Sequence, residues 1–455
     1  MPSAQGGRRA CPGRANGSGA SARRSRIKKA RYRYMTENQS WYQASIPPQI
    51  SRSTLQGEHR VDVCVVGGGF TGVSAALELA QAGKTVALLE AEHVGWGCSG
   101  RNGGQINPGL AADQAALEKQ LGAEQARKLW QLSLAGVELL RKRVTDHAIE
   151  CELKQGILLV ANKPRHVPEL KAWQASLEKL GYDQLAFHDR GSLQGLLKAD
   201  YQAGVMDMGG GDLHPLKYVL GLARASEQHG ATLFEHSPVL SYQQDSTGVT
   251  VNTAQGHVRA DHLLLAGNAY IGQLLPWHQR RFMPIGSYVG ATAPLGELAD
   301  QLIPSRTAVC DMNTLIDYYR LSADGRLLFG GRASARDARP EALRQTMRQR
   351  MTQVFPALAH TDFEYLWGGQ VAMTASKAPH FGRLGDRVFF TQGYSGQGVA
   401  LAGLAGKLMA DAVMGQQQGF DLFARLKHMP VPQGTALQTA IRALALLWYG
   451  IRDAR

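Results

Sequence analysis

Three glycines at a fixed spacing are the first residues in this chain that could do chemistry. Gly67-Gly68-Gly69-Phe70-Thr71-Gly72 reads G-x-G-x-x-G, and an acid, Glu90, follows eighteen residues after Gly72. Gly67 permits a tight turn, Gly69 lets backbone approach a pyrophosphate, and Gly72 lets a helix pack closely on the preceding strand. A helix opening at this point offers unpaired N–H groups and a positive dipole to phosphate, through Phe70 and Thr71 as well as Gly72. Glu90 is placed to accept hydrogen bonds from a ribose diol, and it would repel the 2′-phosphate of NADP. On these residues alone NAD and FAD both stay open. Two other glycine-loop chemistries fail. A kinase loop wants Val two residues after the last glycine, where Ser74 stands, and no H-R-D or D-F-G follows. The serine-hydrolase elbow G-x-S-x-G is nearly met at Gly97-Cys98-Ser99 and Gly393-Tyr394-Ser395, but Arg101 and Gln397 occupy the closing positions.

The elements around these residues suit a dinucleotide. The β-branched run Val61 to Val66 predicts a strand, Thr71 to Ala82 a helix broken by Gly83, and Thr85 to Glu90 a second strand. Together they form the opening βαβ unit of a doubly wound sheet. Trp130, Leu134, Val137, Leu140 and Val144 recur at helical spacing after the glycine-rich stretch 95–109. Strands are expected at 156–161, 284–292, 316–321 and 326–329, the last two joined by a hairpin turn at Asp324-Gly325. Helices are expected at 168–180, 214–229 and 340–355. Segments 239–245, 248–254 and 256–260 read as a small antiparallel meander. Leu263 to Gly267 reads as a buried strand returning to the parallel sheet, and 388–391 as the last parallel strand, followed by a helix over 399–414. No internal repeat is visible.

Composition bounds the class. The chain has 455 residues, 44% of them hydrophobic, and a formal charge of +13. Residues 1–34 hold ten basic side chains and no acidic one, so the remainder carries only +3. That leader has no Leu, Val or Phe and cannot form a packed core, so it is expected to be a disordered extension upstream of a natural start at Met35. An Arg-rich transit peptide and a nucleic-acid-binding arm are the competing readings. The five cysteines show no paired spacing, which fits buried thiols in a reducing, cytoplasmic setting. No metal site is expected.

Four ordered motifs between residues 41 and 453 resemble the FAD-dependent oxidoreductases related to D-amino-acid oxidase, glycine oxidase and sarcosine oxidase. The fingerprint Gly67–Gly72 is followed by a flavin-loop-like segment, Gly95-Trp96-Gly97-Cys98-Ser99-Gly100-Arg101-Asn102-Gly103-Gly104-Gln105. The closing motif is Val388 to Val399, containing Gly393-Tyr394-Ser395-Gly396-Gln397-Gly398. Asp207 to Pro215 and Leu265 to Tyr270 stand between them. Within the family, the gamma-glutamylputrescine oxidase branch is the most similar. That narrower likeness rests on Ser40-Trp41-Tyr42, Gly100 to Gly104, Tyr318-Tyr319-Arg320-Leu321, Phe329 to Arg332, Pro379-His380-Phe381-Gly382 and the ending Trp448 to Asp453. Cys98 departs from the alanine expected there, keeping a small residue.

The resemblance implies an α/β fold: a Rossmann-like, doubly wound parallel sheet binding FAD, plus a second α+β domain with an antiparallel sheet. The expected FAD-binding domain is discontinuous, over 61–150, 203–280 and 362–425. The substrate domain is expected at 151–202 and 281–361, and a helical segment at 426–455 that packs on the body or touches a membrane surface. Besides the first fingerprint, implied cofactor contacts are Ser99, Gly100, Arg101, Asn102, Gly103, Gly104, Val239, Gly267, Gly393, Tyr394, Ser395, Gly396, Gln397 and Gly398. Amides at 396–398, opening the last helix, suit a reduced flavin's N1–C2=O edge. Non-covalent FAD is expected, because Cys310 matches no covalent-attachment pattern.

The implied reaction removes hydride from a neutral amine, the imine then hydrolyses, and dioxygen is reduced to hydrogen peroxide. It needs a desolvated cavity, for which Tyr288, Tyr318, Tyr319 and Trp367 are candidate walls. Arg320 and Arg332 are candidate anchors for a substrate carboxylate. Arg101, Lys377 and His380 are candidates for substrate or oxygen contacts. The implied partners are a small amine and dioxygen, with no nucleic acid. The alternatives are a membrane-associated amino-acid dehydrogenase and, in another class, a nucleic-acid-binding protein using the basic tail.

Overall fold

A computed structural model describes residues 39–49, 51–275, 278–331 and 340–431. Expectations for 1–34, for Arg332 and for the terminal segment from 432 onward fall outside these residues. Along the chain the strands are β1 (Gly57–Val66), β2 (Val86–Leu89), β3 (Gln105–Ile106), β4 (Lys154–Ala161), β5 (Leu185–Asp189) and β6 (Ala203–Asp212). They continue with β7 (Thr232–Phe234), β8 (Ser241–Gln244), β9 (Val249–Asn252), β10 (Gly256–Leu265), β11 (Phe282–Thr292) and β12 (Ala308–Asp311). The last are β13 (Asp317–Leu321), β14 (Leu327–Gly331), β15 (Phe363–Thr374), β16 (His380–Leu384) and β17 (Val388–Gln392).

The first sheet runs β16-β17-β10-β1-β2-β7, with β9 and β8 added beside β10. β1, β2, β7, β10 and β17 are mutually parallel where they pair. Period-two alternation explains how it is buried on both faces. Val63 and Val65 point into a core shared with the helices Phe70–Gln81, Pro215–Gln228 and Gly398–Val413. Cys64 and Val66 point the other way, to Leu263, Leu265, Phe390 and the meander residues Val249 and Val251. Each such aliphatic side chain contributes roughly 1.5–3 kcal/mol on burial.

Helix Gly398–Val413 is apolar almost all round because it is enclosed. A Cβ on Gly406 would lie 2.2 Å from the Thr71 carbonyl oxygen, so this helix touches Phe70–Gln81 backbone to backbone. Among the described residues no single helix is long and apolar enough to cross a membrane.

The second sheet runs β15-β11-β14-β13-β12-β4-β6-β3, with β5 beside β6. Its neighbours pair antiparallel except β12 with β4. Here the structure differs from the expected division of the chain. Strands β6 and β15, expected in the nucleotide-binding part, hydrogen-bond within the second sheet. Both carry glycines that read as loop but sit where a side chain cannot fit. A Cβ on Gly210 would meet Ile157 at 2.4 Å, and one on Gly368 would meet the Tyr288 ring at 2.8 Å. The third meander segment and the returning strand are one continuous strand, β10.

Candidate functional site

The first fingerprint forms the turn its glycines require. Gly67 has φ +110°, and a Cβ there would press on the Ala266 carbonyl at 3.0 Å, next to Gly267. A Cβ on Gly72 would lie 1.9 Å from the Gly67 carbonyl oxygen, so the helix closes directly over the turn. The N-cap, Gly69, makes no side-chain capping bond, and Phe70 N–H donates to Ser99 Oγ at 2.9 Å. Glu90 does a job the sequence did not disclose. Its Oε2 accepts from Gly68 N–H at 2.5 Å and its Oε1 from Glu92 N–H at 3.0 Å, tying the turn to the end of β2. Burial is the main influence on this carboxyl and raises its pKa. The Phe70 ring packs in the core against Tyr218, and Val239 packs partly buried on the meander side.

The flavin-loop segment folds back on itself. Asn102 Nδ2 donates to the carbonyls of Cys98 and Ser99 at 2.9 and 3.0 Å, and its Oδ1 accepts from Gly104 N–H at 2.8 Å. Gly100 passes so close that a Cβ would sit 2.2 Å from the Gly95 carbonyl oxygen. Gly103 lies on the Tyr318 ring, 2.5 Å from a built Cβ, and Gly104 lies against the Leu213 carbonyl. The loop then ends as β3, paired with β6 of the second sheet.

The closing motif completes the cradle. Gly393 N–H donates to Asn268 Oδ1 at 2.9 Å, joining two of the motifs. Tyr394 is buried, its hydroxyl bonded to Thr71 Oγ1 at 2.7 Å and Thr391 Oγ1 at 2.9 Å. It staples the first fingerprint to the last strand and does not face the cavity. Ser395 and Gly396 have φ +55° and +98°, and a Cβ on Gly396 would meet nothing within 4 Å. Gln397 caps Gly398–Val413 without a side-chain hydrogen bond, and its buried Oε1 has no partner. A close-packed glycine turn, an uncapped helix start, a glycine open to the cavity and an orphaned acceptor are what a bound FAD would complete. The residues present fit that group.

A cavity of about 970 Å³ begins at Cys98, Arg101, Asn102, Gly103 and Ser395–Gln397. One face of the second sheet forms its long wall: Ile285, Ser287 and Val289 of β11, Gly369, Val371 and Met373 of β15, Tyr318 of β13, Cys310 of β12, Ile157 and Leu159 of β4, and Asp207 of β6. Sequence reasoning did not single out most of these. Alternation along the expected strands marks Ser287, but β12 and β6 were not expected as strands.

The candidate catalytic residues divide. Arg101 lines the cavity while nearly buried, its Nε donating to the Gly368 carbonyl at 2.9 Å, and burial lowers its pKa. Tyr318 lines it too, its hydroxyl 3.2 Å from Ser287 Oγ, and burial pushes the phenol up to about 12. Lys377 is on the wall, with φ +59°.

Arg320 is corrected. It shares the Tyr318 face of β13, but the glycine loop covers it and leaves it 1% exposed. Its Nη1 pairs with Asp212 at 3.2 Å, its Nε donates to the Gly103 carbonyl at 2.8 Å and its Nη2 to the Tyr42 hydroxyl at 3.3 Å. It holds the loop and has no face toward a substrate carboxylate. His380 is corrected as well: it sits on β16 of the first sheet, 3.1 Å from Gln392 Nε2 and packed on Phe390 and His428, away from the cavity wall.

Three of the four expected aromatic walls also lie behind the surface. Tyr319 faces the opposite side of β13 and bonds Tyr201, Trp367 Nε1–H donates to the Arg101 carbonyl, and Tyr288 packs under Gly368. Cys310 is on the wall, donating to Gln105 Oε1 at 2.9 Å, and burial pushes its thiol up to about 12.

The sequence profile described as FAD dependent oxidoreductase matches residues 62–412. Gamma-glutamylputrescine oxidoreductase of Escherichia coli strain K12 is 39% identical over 425 residues, covering 92% of this chain and 99% of that protein. Glycine oxidase of Bacillus licheniformis is 26% identical over 371 residues, covering 78% and 94%. Among solved structures, glycine oxidase from Geobacillus kaustophilus has a TM-score of 0.68 at 22% identity, covering 82% of this chain and 100% of that one. L-proline dehydrogenase from P. horikoshii has a TM-score of 0.67 at 20% identity, covering 81% and 96%.

Proposed function

Because this chain belongs to the FAD-dependent oxidoreductase family, we propose that it oxidises the primary amine of gamma-glutamylputrescine, or of a close analogue, at the carbon bearing nitrogen. The imine product hydrolyses to aldehyde and ammonia, and dioxygen is the electron acceptor, giving hydrogen peroxide. Bound FAD supplies the hydride acceptor. The protein supplies position and environment. The amides of Gly396, Gln397 and Gly398, at the start of the last helix, stabilise negative charge developing on the cofactor side. The apolar wall of Ile157, Leu159, Ile285, Val289 and Val371 excludes water, which favours the neutral, reactive amine. Tyr318 and Arg101 bound the space where the reacting carbon lies. FAD is held without a covalent bond in this reading, in keeping with a Cys310 thiol that burial makes a weak nucleophile by raising its pKa. Cys64, Cys98, Cys151 and Cys310 are all unpaired, which supports a cytoplasmic setting.

The observation that carries this reading is the shape of the cavity. Its lining begins at the glycine loops 98–103 and 395–397 and continues across the second sheet to Asp207 of β6. The 39% identity to the Escherichia coli protein points the same way. The test is peroxide release by the purified flavoprotein over gamma-glutamylputrescine, putrescine, sarcosine, glycine and D-alanine. Preference for gamma-glutamylputrescine is expected. Turnover with a dye but without peroxide would remove dioxygen as acceptor, and preference for glycine or D-alanine would overturn the substrate.

A further inference from the structure

The far end of the cavity has a chemistry of its own. Across paired strands, residues in register share a face, and Tyr318 pairs with Cys310 and Cys310 with Leu159. Two residues along β4, Ile157 pairs with Asp207. From Tyr318 to Asp207 is therefore three strand spacings and one two-residue step, roughly 16 Å between Cα positions.

Asp207 is 6% exposed and lies on the cavity wall. The Tyr182 hydroxyl and Gly209 N–H both donate to Oδ1, and the Gly210 N–H also favours the carboxylate. Neither the Tyr182 hydroxyl nor Gly209 N–H donates to Oδ2. Two indoles, Trp130 and Trp173, line the same end, and Trp130 stands edge-on to Tyr182 at 5.3 Å. The nearby Arg141 guanidinium is engaged by Glu138 and by the carbonyls of Met208, Gly209 and Gly210. The cationic residues of the wall, Arg101 and Lys377, belong to the cofactor loop and to the turn after β15. A carboxylate on a cavity wall beside aromatic faces is a site for an alkylammonium group.

We propose that Asp207, with Trp130 and Trp173, is the specificity determinant of this enzyme, binding a second ammonium at the distal end of the amine substrate. The inference rests on the amine-oxidation reading. It adds a length and a charge to it. The reactive nitrogen and the α-ammonium of gamma-glutamylputrescine are ten bonds apart, roughly 13 Å when extended with bonds near 1.5 Å. That spans the cavity from the Tyr318 end to Oδ2 once the side chains' own reach is subtracted. A short diamine or monoamine at the cofactor end does not reach it.

The test compares gamma-glutamylputrescine with N-glutarylputrescine, which keeps the length and carboxylate but lacks the α-amino group, and with butylamine. Wild type and D207N are used as FAD-loaded full-length protein, with W173L as a second variant should D207N fold poorly. D207N is expected to raise KM for gamma-glutamylputrescine about 10- to 100-fold, the loss of one charge-assisted hydrogen bond. KM for N-glutarylputrescine and butylamine should stay within a factor of about two. W173L should shift the same substrate in the same direction by a smaller factor. Equal effects on all three amines, or equal wild-type KM values for the glutamyl and glutaryl compounds, would overturn the proposal.

Tryptophan fluorescence titration reads binding independently of turnover. Saturable quenching by gamma-glutamylputrescine, weakened in D207N, supports the distal site even if no amine is oxidised, in which case the reaction assignment alone fails. Quenching unchanged in D207N sinks the distal site whatever the turnover.

Discussion

Removing the charge from Arg320 should be more damaging than removing both charges of its ion pair. Arg320 and Asp212 are 1% and 0% exposed, with Nη1 and Oδ1 3.2 Å apart. At an effective dielectric of about 20 their attraction is about 5 kcal/mol, set against the cost of desolvating both. Asp212 Oδ2 already lacks a partner, and burial raises the carboxyl pKa even with Arg320 present. R320M therefore strands a carboxylate, and D212N strands a guanidinium. Each should cost about 3–5 kcal/mol. The double variant D212N/R320M leaves no isolated charge and should lose only the bonds from Arg320 to Gly103 and Tyr42, about 1–2 kcal/mol. The assay is urea unfolding of the FAD-saturated proteins, with FAD affinity measured by fluorescence titration alongside. Because Arg320 holds the Gly103 carbonyl, R320M should also weaken FAD binding. The reasoning is refuted if the two single costs simply add in the double variant.

Three further outcomes follow from other contacts. G103A places a Cβ 2.5 Å from the Tyr318 ring, an overpacking cost of about 1–3 kcal/mol, so FAD retention should fall, and G103A/Y318L should recover it; retention unchanged in G103A would contradict the packing. Y394F deprives the buried hydroxyls of Thr71 and Thr391 of a shared partner and should destabilise the protein by about 2 kcal/mol in denaturant unfolding, with no change in the substrate ranking. Asp311 is 2% exposed, and burial, opposed by bonds from Asn162, Asp317 N–H and Asn313 N–H, raises its pKa from 3.8 to about 6. The folded state then holds a proton that the unfolded chain has released, so its contribution is full below about pH 4 and is lost as pH rises to about 6, about 3 kcal/mol in all. Wild type should lose that much more stability than D311N between pH 4 and pH 7, and parallel pH profiles would rule it out.

The cofactor half was legible in the sequence because its signals are local. Gly67, Gly69 and Gly72 have to be glycine for reasons acting within a few residues, and Val61 to Val66 and Gly398 to Val413 declare their burial by composition. The substrate half was less legible because its strands are irregular by design of their neighbours. Gly209, Gly210 and Gly211 of β6 make room for Tyr182, Ile157 and the Lys154 carbonyl, so a ten-residue strand reads as a loop. The fate of Arg320 could not be read locally either, since its partners Asp212, Gly103 and Tyr42 are far away in sequence. Tyr318-Tyr319 shows the limit of residue type alone: neighbours on one strand, they serve a cavity and a core because successive side chains face opposite sides.

Strand β3 is only two residues long, yet it is the tail of the glycine-rich loop 95–104 and the edge of the second sheet at once. Because β3 pairs with Gly211 and Asp212, any stabilisation of residues 95–104 by a proposed FAD contact there is expected to reach the bonds at the sheet edge as well. Amide hydrogen exchange at Gln105 and Ile106 is therefore expected to slow on FAD loading, a cofactor signal read at the edge of the second sheet.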